Sequence, residues 1–374
     1  MTPSPTRARP GVAARRLALT ALLASLAGCG EEPPPALGEE RVAPGEAALG
    51  AAMTERILEI GERHRAAGEP IPRFNQPKTV ACATATFEVP PLDDDLAVGL
   101  FAEPGRYEAL VRFANATRHD DRDKDLRGAS LRLFGVPGAE SLAGPSGQQD
   151  FLFNSHPALF AGTPEAFYRF VNAVADERLW WYFVNPLAPQ PRSLMIALRA
   201  RDRSVSPLAE TYWSTTPYRF GEGRAVKYSL RSCAGAPAPM AAPDPDHPDH
   251  LRHALAEQLA EGEACLSFRV QFQTDPEAMP IEDASVVWDE DASPFRPVGR
   301  LTLHRQAIDT PRALARCEST VFNPWNSHPA HRPLGGINRL RRAIYQAAGA
   351  QRTTHNATLS GDSPSAPSTQ EEGP

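Results

Sequence analysis

Arg341 and Tyr345 stand four residues apart in PWNSHPAHRPLGGINRLRRAIYQAAGAQR (324–352). Residues at that spacing share one face of a helix, so the guanidinium reaches the phenol oxygen. A free tyrosine titrates near pH ~10, so a phenolate at neutral pH needs a neighbouring fixed cation, a bound metal, or both. Arginine supplies such a cation, because it stays charged and donates in a rigid fork. The pair therefore suits a metal-bound phenolate. An amphipathic helix with Tyr345 packed and Arg341 solvated would show the same spacing.

Other segments extend the pattern. LVRFANATRHDDRDKDLRGASLRLFG (110–135) places an arginine-bearing strand before an acidic loop, an Arg-Gly turn and a second strand. DFLFNSHPALFAGTPEAFYRFV (150–171) follows as a strand, an Asn/Pro turn and an aromatic-rich helix, and VFNPWNSHPAHRPLGGINRLRRAIY (321–345) closes the series. In this order the segments resemble the catalase superfamily, and the last is similar to its short catalase-related members. The resemblance runs from about Arg73 to about Arg352. It implies a haem b protein with Tyr345 as the axial iron ligand and Arg341 as its counter-cation, since tyrosine is the axial ligand of catalase haem. It implies Arg73 and Arg112 near the haem propionates or the proximal phenolate, and Phe160 and Phe167 as pocket aromatics. A surface arginine or an ordinary core phenylalanine would explain these four as well.

The chain departs from the family at the distal position. Catalase-like chains carry a histidine before Pro-Lys or Ala-Lys in the first strand, and the matching stretch RFNQPKTVACATATFEV (73–89) holds Gln76 there. No histidine lies between Phe74 and Thr86. The family's distal asparagine falls on Asn154 or Ser155, and spacing to Pro157 favours Ser155. Glutamine can hydrogen-bond a bound oxygen species but cannot relay a proton, so a share of rate worth ~10²–10⁴ should be missing. The expected function is a haem-dependent, catalase-related or peroxidase-like oxidoreductase acting on hydrogen peroxide or organic, including lipid, hydroperoxides, with fast catalase turnover in doubt. A non-catalytic haem-binding lipoprotein, for storage, sensing or scaffolding, is the alternative.

The elements that must position these residues read as α+β. CLSFRVQFQ (265–273) alternates Leu266, Phe268, Val270 and Phe272 against polar partners, and VKYSL and RLTLH repeat the period, as half-buried antiparallel strands do. Thr163 and Pro164 open a helix with Phe167, Phe170, Val171 and Val174 at helical spacing. Closure of the strands into a catalase-like antiparallel β-barrel with flanking helices is implied by the resemblance. At 374 residues and 41% hydrophobic content the chain can build one large core.

The N-terminus reads as an export signal over residues 1–28, where Arg7, Arg9, Arg15 and Arg16 precede LALTALLASLAG. LAGC (26–29) resembles a bacterial lipobox, so cleavage before Cys29 and lipidation of its thiol are expected, with outer-membrane attachment in the cell envelope by the lipid anchor alone. Arg15-Arg16 also hints at twin-arginine export. Residues 29–47 are expected to be a disordered, proline- and acid-rich tether, 48–350 the catalase-like haem domain, and 351–374 a disordered tail. The net charge is −6, and −10 beyond the four leading arginines, which argues against nucleic acid as a partner. Cys82, Cys233, Cys265 and Cys317 permit three pairings; Cys233 closes one expected strand and Cys265 opens the next, so these two are paired first. His247, His250 and His253, three apart, do not make a metal site, and Asp121, Asp123 and Asp125 lack the glycine and the final acid of a calcium loop.

Overall fold

The alternation of Leu266, Phe268 and Val270 is realised in a strand whose side chains point alternately into a packed interior and toward half-exposed surface. The computed structural model describes Met1 and residues 33–141 and 145–360. Its strands are β1 (Lys78–Val89), β2 (Gly105–Asn115), β3 (Arg127–Leu133), β4 (Gln149–Asn154), β5 (Tyr212–Trp213), β6 (Tyr218–Arg219), β7 (Ala225–Ser232), β8 (Ala264–Phe272) and β9 (Arg296–Leu303). All pairings are antiparallel. The ladder runs β5–β4–β3–β2–β1–β9–β8–β7, and β5 pairs back onto β7, which closes an eight-stranded barrel; β6 forms a hairpin on β7.

Side chains fill the barrel. Phe268 meets Phe87 and Phe151 edge to face with ring centroids 5.3 and 4.8 Å apart, and Tyr228 and Phe153 complete the aromatic layer. Such contacts add ~0.5–1.5 kcal/mol each beyond area burial. Gly299 makes room for this packing, because a Cβ there would lie 2.5 Å from the tip of Phe87.

Helices cover one side. α1 (Glu46–Ala66) packs with α2 (Pro164–Ala175) and α7 (Gly336–Ser360) through Met53, Ile57, Val171, Leu340 and Ile344. α2 begins as expected, with Thr163 Oγ1 accepting from the Ala166 amide and Pro164 in the first turn. α3 (Leu179–Val184), α4 (Pro191–Arg199), α5 (His250–Glu261) and α6 (Pro311–Ser319) complete the set.

Two stretches expected to be unstructured are partly built into the domain. Glu40 and Glu46 both pair with Arg339, at 2.8 and 2.6 Å, and the Gly38 amide donates to Gln273, so the acids of the expected tether serve a part-buried arginine. The expected tail instead extends α7 to Ser360. There Asn356 satisfies both the amide and the carbonyl of Ile71, and Gln351 donates to the Leu58 carbonyl, so polar composition bonds neighbouring backbone. Cys29, with its expected lipidation and signal cleavage, lies outside the described residues.

Disulfides join Cys82 to Cys317 and Cys233 to Cys265, with Cα atoms 5.8 and 5.5 Å apart. The second is the pair expected from the strand ends. The first ties α6 to the barrel wall.

One buried cation sets a pH dependence. Lys227 is 3% exposed, lies 5.0 Å from the centre of the Trp288 ring and donates to the Val286 carbonyl at 3.0 Å. Burial pushes its ammonium down to about 7, against a partial opposing pull from Asp283. The unfolded chain therefore binds more protons than the folded one between about pH 7 and 10, and this lysine makes stability rise across that window. Its destabilising effect is full below the lower bound. Urea midpoints at about pH 6.5 and 9.5 test this: the rise should be smaller in Lys227→Met, and an equal rise in both proteins contradicts it.

Candidate active site

The helical spacing of Arg341 and Tyr345 holds in α7. Arg341 Nη2 donates to Tyr345 Oη at 3.0 Å, and Nη1 donates to Asn338 Oδ1 at 3.0 Å. Asn338 is fixed in turn by donating to the Pro217 and Leu334 carbonyls. Burial works against the charge of Arg341, but the phenol oxygens of Tyr345 and Tyr218 outweigh it and hold the guanidinium above its usual range. The cation is thus firmly charged where it faces the phenol. One turn and two turns further on, Ala348 and Arg352 continue this face of α7 into a single large cavity.

A second group of lining residues comes from the start of β1 and the end of β4. Gln76 Nε2 donates to Asn154 Oδ1 at 2.8 Å and to the Phe153 carbonyl at 3.3 Å. Gln76 adopts φ +57°, as does Thr215, which lines the same cavity. Left-handed backbone is costly for both residue types, most of all for a β-branched one, and such strain gathers at functional sites. Gly128 of β3 lies against the Gln76 amide; any Cβ there would fall 2.1 Å from Nε2. The amide is therefore seated by the barrel wall.

The third group is cationic. Arg73 Nη1 pairs with Glu318 at 2.5 Å, and Arg352 Nη1 donates to the Glu318 carbonyl at 2.8 Å. Thr79 Oγ1 also donates to the Glu318 carboxylate. Arg112, 2% exposed, donates to the Gln76 carbonyl and to Thr79 Oγ1, both at 2.7 Å, and among the described residues it pairs directly with no carboxylate. Burial, with the charges of Arg73 and Arg352, pulls its guanidinium down to about 9 against the help of Glu318. Arg73 and Arg352 gather at Glu318, and Arg112 is linked to it through Thr79, so cations outnumber carboxylates on this wall and it is ready for further anionic oxygens. Glu318 follows Cys317, so the disulfide to Cys82 positions the cluster.

The cavity unites Gln76, Arg73, Arg112, Phe167, Arg341 and Tyr345. Two expected members lie elsewhere. Ser155 is turned away: its Oγ accepts from the Arg127 amide at 2.9 Å, and Asn154 takes the place beside Gln76. Asn154 is the last residue of β4 and shares its face with Leu152, whereas Ser155 falls one step beyond and out of phase. Phe160 packs outside the cavity against Phe170, Tyr182 and Phe183, its ring 4.8 Å from that of Phe170. Sequence reasoning missed Arg352, Glu318 and Thr215. Arg352 was within reach, since positions 341, 345, 348 and 352 share one helix face.

Of the three histidines, His250 is buried at the start of α5, where its Nε2 contacts the Ser204 carbonyl at 3.0 Å. Asp121 accepts from Lys78 and Asn115, each at 2.7 Å, so the acidic loop pins β1.

No family model matches the sequence, and no curated protein matches it. Solved structures do. A fungal catalase aligns with a TM-score of 0.61 and 18% identity over 89% of this chain and 69% of its own. Catalase A from Saccharomyces cerevisiae gives 0.59 and 17% over 89% and 71%, and a bacterial catalase gives 0.58 and 16% over 91% and 67%. The protein has a catalase-like fold, an antiparallel eight-stranded barrel with flanking helices. At these identities the likeness extends to the fold.

Proposed function

We propose that the cavity binds haem b, with the phenolate of Tyr345 as axial ligand to ferric iron, and that the protein processes hydrogen peroxide or organic hydroperoxides. The observation that carries this reading is the Arg341–Tyr345 hydrogen bond inside a cavity that also holds the cluster of Arg73, Arg112 and Arg352. The residues fit the group. A phenol faced by a fixed cation suits ferric iron, the guanidiniums of Arg73, Arg112 and Arg352 on one wall suit two propionates, and Phe74, Phe153 and Phe167 offer apolar walls. When bound, haem supplies the redox chemistry that cleaves the peroxide O–O bond.

The protein's own residues set the limits of that chemistry. Arg341 donates to the Tyr345 oxygen and would balance its charge as a ligand. Gln76 and Asn154 present amides, which orient a peroxide by hydrogen bonds but accept and return no proton at neutral pH. Oxygen transfer that needs a relayed proton should therefore be slow. That same pair of amides favours the second reading, a haem-binding protein without turnover. Initial peroxide loss per bound haem decides between them: measurable turnover carries the enzyme, and a rate equal to free haem carries the second reading.

The envelope setting is part of the proposal. Two disulfides suit an oxidising compartment. Mass spectrometry of membrane-extracted protein should find Cys29 as a lipidated mature N-terminus. An uncleaved chain, or cleavage elsewhere, contradicts it.

A further inference from the structure

The helices α3 and α4 are turned inside out. In α3 only Tyr182 is buried, while Leu179, Trp180, Trp181 and Val184 are exposed, Trp180 at 63%. In α4 the one buried residue is the polar Ser193, which lies 3.4 Å from Tyr182 Oη, and Met195 and Leu198 face outward. Leu187, between them, is 92% exposed. A helical hairpin in water normally does the reverse, and contiguous exposed apolar surface marks an interaction site.

Charge identifies the partner. Residues 178–201 carry Arg178, Arg192, Arg199 and Arg201 and no acid, in a chain of net charge −6. Arg178, Arg192 and Arg199 are exposed beside the apolar residues. Tryptophan and arginine with aliphatic side chains, on helices of six and nine residues, match an element that lies in a membrane interface rather than crossing it. Among the described residues no helix is long and apolar enough to span a bilayer. A second protein copy would bring its own acidic excess to the arginines, but the same hairpin on that copy would bring like charge to like.

We propose that the α3–α4 hairpin docks into the surface of an anionic phospholipid bilayer, with Trp180, Trp181, Leu187 and Leu198 in the acyl boundary and Arg178 and Arg199 at the lipid phosphates. Neither haem nor lipidation of Cys29 is required for it. The inner side of the hairpin rests on the aromatic cluster of Phe160 and Phe170, and Phe170 packs on Phe167 of the cavity wall. Docking therefore sets the cavity one aromatic layer from the bilayer.

Tryptophan emission of the full chain with vesicles of acyl-brominated phosphatidylglycerol tests this locally. Bromine should quench emission from the exposed tryptophans, and the quenched component should vanish in Trp180→Phe/Trp181→Phe. In Arg178→Glu/Arg199→Glu the lipid concentration for half quenching should rise about tenfold or more. Unchanged emission with the brominated lipid overturns the proposal. So does equal quenching by brominated phosphatidylcholine, or a hairpin already shielded from iodide, without vesicles, in a species of doubled mass; the last would assign the face to a second copy of the chain.

Discussion

Replacing Tyr345 with phenylalanine is expected to weaken haem binding by roughly 100-fold or more, beyond the ~10–100-fold that losing an outer-shell partner costs a metal site. Phenylalanine keeps the ring contacts with the helix cluster of Met53, Ile57 and Leu340, so the fold should survive. What is removed is the oxygen 3.0 Å from Arg341 Nη2. The variant is left with a half-buried guanidinium bonded to Asn338 and no phenol oxygen beside it, which disfavours ferric iron there a second time. Any haem retained should lack tyrosinate absorption. Haem content after gel filtration, with the far-ultraviolet circular dichroism as control, measures both points. A variant that keeps the wild-type spectrum refutes the proximal assignment.

The second large effect is expected at Gln76. Wild-type protein should dismutate hydrogen peroxide poorly, and Gln76→His should raise turnover by about 10–100-fold, the lower part of what positioned acid/base catalysis supplies. Two features of the site favour the substitution. Histidine tolerates the left-handed backbone that position 76 adopts, and Asn154 already offers an amide beside it. Two features limit it: the imidazole has a shape for which the pocket was not built, and it must clear the carbonyl of Phe153. An imidazole base also brings a rate that climbs with pH near its ordinary value of about 6.5, and the amide brings none. Initial rates per haem across pH in both proteins provide the test. Robust wild-type turnover that is indifferent to residue 76 means that another group serves as base.

The Arg341–Tyr345 contact was legible because it is local. Arg341 and Tyr345 lie on one helix, and a spacing of four fixes their contact without knowledge of the rest. The place of Gln76 on the cavity wall was equally legible, since it sits just ahead of β1, whose course Lys78 and Phe87 mark. The asparagine was harder. At a strand end one residue changes the face, and the choice between Asn154 and Ser155 depended on where β4 stops, which its pairing with Gly128 and Trp213 decides. Phe160 failed for a related reason: an aromatic beside a pocket reads the same as one lining it.

Long-range pieces were beyond pattern. Glu318 joins Arg73 across 245 residues, and Arg352 joins them from a stretch whose polar composition resembled a tail. Barrel closure rests on a two-residue strand, Tyr212–Trp213, far too short for a periodic signal. The inverted hairpin was present as sequence in LWWYFV, but only the structure separates an apolar run that is buried from one that faces water.

A haemin titration of the full chain, followed by its absorption spectrum, bears most directly on the central proposal. One equivalent should bind and give the high-spin ferric spectrum of a five-coordinate tyrosinate haem. Failure to bind, or a spectrum of histidine or thiolate ligation, contradicts the account of the cavity.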